Sequence, residues 1–507
     1  MEVIREANPA PVYAPATAVA ARGLSRARLI WAASLSALVF TAVACTTSRL
    51  MMLDTFASLV AGRDIAEHGL PRTETLTWAA HGRPWVDQQW LAQWVYYEAY
   101  RAGGYPAVGG LSAVLIGLAF GILAGYLLFR GTSPVRTLIW VAVAYGVCEL
   151  NTVVRTQSFA YPLFVATVVI LLEDDRERRF GRILLALPPI FLIWANLHGS
   201  VLLAAPLVVA YCIWAALHNL SAARRRAMFG YLLLAACMPL AVVATPYGFS
   251  IMDYYRSVLG NPVLTGRVAE WQAATFSGPS IQFVIVMLAT VATIGFAYGR
   301  GYRPQLFMVA ITCTLAAAGV HAVRYQVWFA FAATILIADV MNGTFGSSDT
   351  PIVRRIAARV VPVLAVVGVL GSTLLLVSTP TSRYEILSPR PAMNVAAQWA
   401  AAHPDAKIMA GDVSADALLW THPELIGRVG FDSRYEVYSQ SQLELYTNWV
   451  ADMGVRSQWA ADLNGYDEVI LSRVYREGDI NRMHLLPEWK QIYADANGVV
   501  FVRRSAT

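Results

Sequence analysis

Long apolar runs fill the chain from residue 29 to residue 378 and then give way to a mixed pattern. The first run, Leu29–Ser48, is long enough to span and is followed by no Ala-x-Ala-like cleavage site, so it reads as a retained first helix. Further runs recur at 107–129, 137–151, 158–172, 183–198, 200–217, 229–245, 281–298, 305–321, 325–341 and 360–378. These eleven segments are candidate spans, several of them shorter than the ~20 residues a perpendicular crossing needs. The stretch 183–217 is broken by Asn196, His198 and Gly199, which fits two short helices or one span with a re-entrant piece. Gly117, Gly121 and Gly125 stand four apart in the second run, a close-packing face for a neighbouring helix.

The first loop, 53–105, is the longest in this part of the chain. Phe56, Leu59, Val60 and Ile65, then Trp90, Leu91, Trp94, Val95 and Tyr97, form two apolar stripes at helical spacing. They suit helices lying in the membrane interface or helices packed on the bundle. From about Pro380 the pattern becomes that of an α/β domain. Helical stretches Met393–Ala402 and Gln440–Asp452 alternate with short apolar runs at Lys407–Ala410, Arg428–Phe431 and Glu468–Leu471. Trp489–Ala494, a turn at Asp495–Gly498 and Val499–Val502 make a β-hairpin signal. The expected organisation is a tail (1–27), a transmembrane part (28–379) and a soluble domain (380–507).

Composition agrees with the runs. Of the 507 residues only 14% are charged and 57% are apolar; a soluble protein carries roughly 25% charged residues, so a water-soluble enzyme is excluded. The formal charge of +6 divides unevenly, with +10 in residues 1–379 and −4 in 380–507. If the N-terminus is cytoplasmic, the inner loops hold Arg130 and Arg136, Arg176 to Arg182, Arg224 to Arg226, Arg300 and Arg303, and Arg354 to Arg359. Every short inner loop is then basic, as the positive-inside rule requires, and the −4 domain falls on the outer side. The basic charge is a topology signal and gives no case for nucleic acid. All five cysteines lie in apolar runs, so the soluble domain has no disulfide framework.

Polar residues beside spans are costly and mark function. In this topology most collect at the outer ends: Asp54; Glu149, Asn151, Arg155 and Gln157; Asn196 and His198; Thr245 to Gly248; Glu270 and Trp271; His321 and Arg324. Such clustering suits one outward-facing polar cavity roofed by the first loop. In the soluble domain, Asp412, Asp416, Asp432, Arg434 and Glu436 could form a site, but read more readily as a solvated, ion-paired rim. The chain has no P-loop, His-Glu-x-x-His or Gly-x-Ser-x-Gly motif, so nucleotide-driven cytosolic chemistry has no support.

The outward Asp54 after the first helix, the loop with helical stripes and the C-terminal domain together resemble the GT-C class of integral-membrane glycosyltransferases. These use polyprenyl-phosphate-linked sugars and include protein mannosyltransferases and aminoarabinose transferases. The chain is more similar still to uncharacterised bacterial multipass members whose first loop reads Asp-Pro-Asp-x-Trp-Trp-His-Leu-x-x-Gly and then Gly-Arg-Pro-Trp-Val-Asp-x-x-Trp-Leu. It keeps Asp54, Leu59, Gly62, Gly82 to Asp87 and Trp90-Leu91, and similar blocks recur at Trp194–Gly199, Pro246–Gly248, Glu270-Trp271 and Phe431–Glu436. It departs at Met52, in place of the first Asp, at Ser58, in place of the His, and at Phe56 and Ala57, in place of the tryptophans. These departures weaken the case for a two-carboxylate divalent metal site, and no cofactor is assigned.

The resemblance implies a polytopic α-helical membrane protein of the bacterial inner membrane with a periplasmic α/β domain. It would transfer a sugar from a polyprenyl-phosphate donor, embedded in membrane lipid, to a periplasmic or cell-envelope acceptor. A base near the acceptor hydroxyl would be Asp54, with Asp87 as its companion. Substrate contacts fall to Arg155, Asn196, His198, Glu270, His321, Arg324 and Trp85, with Arg324 foremost for the leaving phosphate. A non-catalytic envelope-glycan assembly protein on the same scaffold and a lipid-linked glycan transporter remain the alternatives, although no internal repeat supports the second. An alkaline phosphatase fused to the C-terminus is expected to be active; a well-expressed but inactive fusion would put that domain in the cytoplasm.

Overall fold

The computed structural model describes residues 24–47, 51, 53–221, 224–346, 348–450 and 461–506. Met52, most of the N-terminal tail and the end of the Gln440–Asp452 stretch lie outside them. The apolar runs all fold as helices: α1 (Arg26–Thr47), α3 (Trp90–Phe129), α4 (Pro134–Cys148), α5 (Ala160–Glu177), α6 (Leu187–Leu197), α7 (Val201–Leu217), α8 (Arg225–Val243), α11 (Ile281–Gly299), α12 (Leu306–His321), α13 (Gln326–Phe345) and α14 (Pro351–Ser378). Among the described residues seven helices, α1, α3, α5, α8, α11, α13 and α14, are long and apolar enough to cross a membrane. The other four are apolar but shorter. The stretch 183–217 resolves into two short helices, because His198 is extended (φ −161°, ψ 139°) and ends α6.

The glycine face is used as expected. A Cβ on Gly117 would come 2.9 Å from the Ser36 carbonyl oxygen of α1, and one on Gly121 would come 2.9 Å from the Ser36 Cβ. The Ser36 hydroxyl donates to the Gly117 carbonyl at 2.7 Å across that contact. The second half of the first loop and the second span form one element. They are divided at Gly104, whose φ of +64° a helix cannot take, just before Pro106.

Polar residues also collect at the opposite end of the bundle, where the sequence reading expected only basic loops. Asp174 accepts the Tyr211 and Tyr231 hydroxyls, at 2.6 and 2.5 Å, and the Gly181 N–H. Tyr302 donates to Asp339 at 2.8 Å. Asp174 is buried and Asp339 half-buried, and both are matched by donors on neighbouring helices and connections, which makes them ties within the bundle.

The C-terminal domain is a four-stranded sheet in the order β1-β2-β4-β3, with β1 (Ile408–Ala410) parallel to β2 (Glu468–Ser472) and the others antiparallel. The expected hairpin is β3 (Trp489–Ala494) and β4 (Gly498–Arg503). Arg428–Phe431 makes only an isolated bridge, Val429 to Ile408, because the first loop takes its remaining backbone groups. Trp78 and Ala79 donate to the Val429 and Gly430 carbonyls, and Gly427 donates to the Leu76 carbonyl.

The first stripe of the loop is packed inside the protein, with Phe56, Leu59, Val60 and Ile65 buried, whereas in the second Trp90, Leu91, Val95 and Tyr97 are half-buried and Trp94 is exposed. The helix α2 (Leu53–His68) lies against residues 90–102 on one side and against α17 (Asp412–Thr421) on the other. Phe56, Leu59, Trp85 and Tyr96 share one core with Phe431, Tyr446 and Ile470 of the sheet domain. A buried ion cluster closes this core. The Arg434 guanidinium bonds both Glu74 oxygens, at 2.6 and 2.9 Å, and Asp432 at 2.7 Å, and stacks on Trp85 with 4.5 Å to the ring centre. Glu74 also accepts the Leu76 and Thr77 N–H groups. The solvated-rim reading of Asp416, Asp432 and Arg434 is therefore overturned: Asp416 and Asp432 are each 1% exposed and Arg434 6%. Alternating charges on a loop look alike whether they face water or one another, and here the opposing charge, Glu74, comes from 360 residues away.

Burial alone would raise the Glu74 pKa, but the Arg434 charge and the converging donors outweigh it and hold the group below its ordinary value. A depressed carboxylate pKa adds stability that is present at neutral pH and lost as pH falls through the folded-state value. Glu74→Gln should cost on the order of 3 kcal/mol, read as a lower Tm of the detergent-solubilised chain at pH 7. The difference from wild type should narrow only below the usual carboxylate range. An unchanged Tm would show that the cluster does not hold the domain.

Candidate active site

Three segments meet beneath the first loop. After α4 the chain passes through two single-turn helices, Glu149–Asn151 and Thr156–Phe159, and Arg155 between them is extended. The Tyr96 hydroxyl donates to the Arg155 carbonyl at 3.0 Å and the Thr55 hydroxyl to the Val154 carbonyl at 2.7 Å. These bonds fix the segment under α2 and α3. A second segment carries Glu270 and Trp271 in the turn Ala269–Trp271. It is tied to the α12–α13 connection by Val323 N–H to the Gln272 carbonyl, at 3.0 Å, and Ala274 N–H to the Val320 carbonyl, at 2.9 Å. That pairing sets the Arg324 guanidinium over the Trp271 ring, 4.1 Å from its centre. The third is the α6–α7 break with His198.

These side chains line a polar chamber of about 160 Å³ with Asp54, Arg155, His198, Glu270 and Arg324 on its walls and Ser433 to Glu436 of the sheet domain above. An adjoining cavity of about 200 Å³ is lined largely by apolar groups, including Leu202, Leu203, Tyr255, Leu259 and Trp328. Gln89, Gln157, His198, Tyr254, Trp271 and Arg324 belong to both.

Arg155, 8% exposed, organises the chamber. It bonds Glu270 at 3.1 Å and the Asn151 amide oxygen at 2.9 Å, and lies 3.9 Å from Asp54. The two carboxylates are thereby made different. Glu270 is held below its usual pKa, chiefly by the Arg155 charge. Asp54, whose side chain is 46% exposed to the chamber, is raised by desolvation within that enclosed space first and the Glu270 charge second, against the pull of Arg155 and Arg324. Two acids tuned in opposite directions around one cation provide a firm anion and a better proton acceptor. Burial and the two arginines keep His198 well below its ordinary pKa, hence neutral. Its Nδ1 accepts the Ser200 N–H at 3.1 Å, which leaves Nε2 as the N–H donor.

Five of the nine residues expected at the site, Asp54, Arg155, His198, Glu270 and Arg324, line this chamber. The other four do not. Asn196 is used by the scaffold, taking the Trp90 indole N–H at 2.9 Å and donating to the Leu192 and Ala244 carbonyls. His321 ends α12 and is exposed. Asp87 is buried beside the chamber, accepting the Gln89 N–H, with its pKa pushed up to about 7 by burial and then by the Glu436 charge. Trp85 lies under Arg434 and lines a separate cleft. Gln89, Gln93, Tyr254 and the roof residues Ser433 and Tyr435 were not foreseen; neutral polar and aromatic side chains carry no spacing signal of their own. Among the described residues no three His, Cys, Asp or Glu side chains group as a metal site, and Glu270 is engaged by Arg155, so the donor set does not fit a divalent metal centre.

This architecture is GT-C-like. The chain is similar to the oligosaccharyltransferase of Archaeoglobus fulgidus in its apo form (TM-score 0.55, 12% identity, 90% of this chain and 71% of that one). It is also similar to ArnT of Cupriavidus metallidurans in the apo state (0.50, 14%, 92% and 97%). A third similar structure is the oligosaccharyltransferase AglB of Archaeoglobus fulgidus in complex with an inhibitory peptide and a dolichol-phosphate (0.50, 11%, 87% and 69%). No protein-family model matches the sequence, and no curated protein matches it significantly.

Proposed function

We propose that the chain transfers a sugar from a polyprenyl-phosphate donor to a cell-envelope acceptor, with the reaction in the Asp54–Arg324 chamber and the first loop and sheet domain on the periplasmic side. The observation that carries this reading is that a carboxylate of raised pKa and a cation shared with an apolar cavity line one chamber. A lipid phosphate needs both halves of that arrangement: an apolar channel for its first prenyl carbons and charge for its phosphate. The similar AglB structure, in complex with a dolichol-phosphate, supports the assignment at the level of fold.

In the proposed reaction the acceptor oxygen attacks the anomeric carbon while the bond from that carbon to the phosphate oxygen breaks. The electron pair leaves with the lipid phosphate, and the acceptor proton passes to Asp54. Arg324 and the His198 Nε2–H stabilise the charge that develops on the phosphate. Arg155 is a positioning residue: bonded to Glu270, it holds Asp54 in place without neutralising it fully.

Asp54→Asn should lower the rate of transfer from a polyprenyl-phosphate sugar by roughly 10²–10⁴-fold while binding of the lipid phosphate persists. Because Asp54 must be ionised to accept the proton, the wild-type rate should fall as pH drops through a value above the ordinary carboxylate range. Full activity in Asp54→Asn would remove the base assignment. Arg324→Ala should weaken polyprenyl-phosphate binding by roughly tenfold or more, the cost of one charge-assisted hydrogen bond, in a titration on nanodisc-embedded protein. Unchanged binding would place the phosphate elsewhere.

A further inference from the structure

Glu270 reaches Arg155 from a segment with little core of its own. The segment starts with the helix Pro262–Arg267, capped by the Asn261 side chain, which accepts the Val263 N–H at 3.0 Å. Only Val263 and Leu264 of this helix are buried. The chain then continues through linked turns, with Val268 N–H bonded to the Leu264 carbonyl at 3.1 Å and Trp271 N–H to the Val268 carbonyl at 2.9 Å. Glu270 stands in the second of these turns. After it, the Gln272–Val323 bond anchors the segment to the bundle. Before it, the polar anchor is Arg267.

The Arg267 guanidinium meets the helix Gln440–Val450 of the sheet domain. Its Nη1 reaches the Glu444 carbonyl at 3.1 Å, the Thr447 hydroxyl oxygen at 2.8 Å and the Asn448 amide oxygen at 2.6 Å. Thr447 gives its own proton to the Leu443 carbonyl at 2.6 Å, so its oxygen faces Arg267 as an acceptor. A cation at the C-terminal part of a helix is favoured by the helix dipole as well as by these bonds. The contact stands three residues before Glu270, on the side of the turn that has no backbone tie to the bundle.

That placement matters because Arg155 lies between two carboxylates, 3.1 Å from Glu270 and 3.9 Å from Asp54. The distances differ by less than 1 Å, so a small retreat of Glu270 would leave Asp54 as the nearer partner. Both consequences act on Asp54 in one direction: the Glu270 charge that raises its pKa recedes, and the Arg155 charge that lowers it approaches. Asp54 would become a firmer anion and a weaker base. The other groups around Asp54, namely Arg324 on the α12–α13 connection, His198 at the α6–α7 break, Asp416 on α17 and Glu436 in the roof, are carried by other segments and keep their places.

We propose that Arg267 is a positioning residue: by fastening the Glu270 segment to the sheet domain, it keeps Glu270 on Arg155 and keeps Arg155 from closing on Asp54. The proposal rests on the reading of Asp54 as the base and adds a control on it. The sheet domain then roofs the chamber and also holds its charges in their working arrangement.

The test is an infrared pH titration of the full chain in phospholipid nanodiscs, which needs no substrate. The protonated-carboxyl band of Asp54 is identified as the one that Asp54→Asn removes. In Arg267→Ala this band should titrate lower than in wild type by roughly one pH unit. The shift should be smaller in Arg267→Lys, and in the same direction in Asn448→Ala, which removes one acceptor from the sheet-domain side. Transfer from a polyprenyl-phosphate sugar should fall roughly threefold or more in kcat in Arg267→Ala, with the acid limb moved to lower pH and the KM for the donor unchanged. A folded Arg267→Ala chain whose Asp54 band titrates as in wild type would overturn the proposal; if that variant does not fold, the same result in Asn448→Ala would overturn it. A band that shifts as expected in a chain that transfers no sugar would uphold the positioning role and bring down the transferase reading instead.

Discussion

A buried arginine holds the upper half of this molecule together. Arg434 has almost no access to water, so its charge must be met by protein, and the partners come from two distant parts of the chain: Glu74 in the first loop and Asp432 in the sheet domain. Breaking such a contact strands a charge in a low-dielectric interior, so loop and domain behave as one body. The same guanidinium lies on Trp85, and the turn that carries it also carries Ser433, Tyr435 and Glu436 over the chamber. The interaction that fastens the domain therefore also sets the roof of the site.

Beneath that roof a second buried arginine does a different job. Arg155 has two carboxylates to choose between and bonds one of them closely. Desolvation and the Glu270 charge raise Asp54, while the closer Arg155 contact lowers Glu270, and the two are thereby separated in basicity. Arg324, stacked on Trp271, is placed where the polar chamber meets the apolar cavity. In the proposed reading, charge selectivity and lipid access rest on a few side chains on short, irregular connections between helices. Irregular backbone near a membrane is tolerated where it lines a cavity and its groups are bonded within the protein, as the Val154, Arg155 and Gln272 carbonyls are here.

How much of the site was legible followed from the kind of signal each residue gives. Asp54, Arg155, His198, Glu270 and Arg324 are charged or ionisable and adjoin apolar runs, a costly placement that marks them out. His321 and Asn196 share that local signal, yet one is exposed and the other is consumed by Trp90 and backbone carbonyls. Local sequence cannot say which way a side chain at a helix end turns. Asp432 and Arg434 were visible as charges and misjudged as solvated, because groups that bury them belong to another part of the chain.

The sequence by itself determined the helices and the hairpin. Hydrophobic runs, turn residues and the four-residue glycine spacing act within a few residues of one another, so their consequences can be read locally. It also determined the uneven charge that marks the sheet domain off from the bundle. Only the tertiary structure decided that the first stripe of the loop would be packed inside the protein, that Arg434 would be the loop's anchor, and that Asp54 and Glu270 would face one arginine. Each of those outcomes depends on charges brought together across long separations, and a buried charge has no defined energy until its partner is in place.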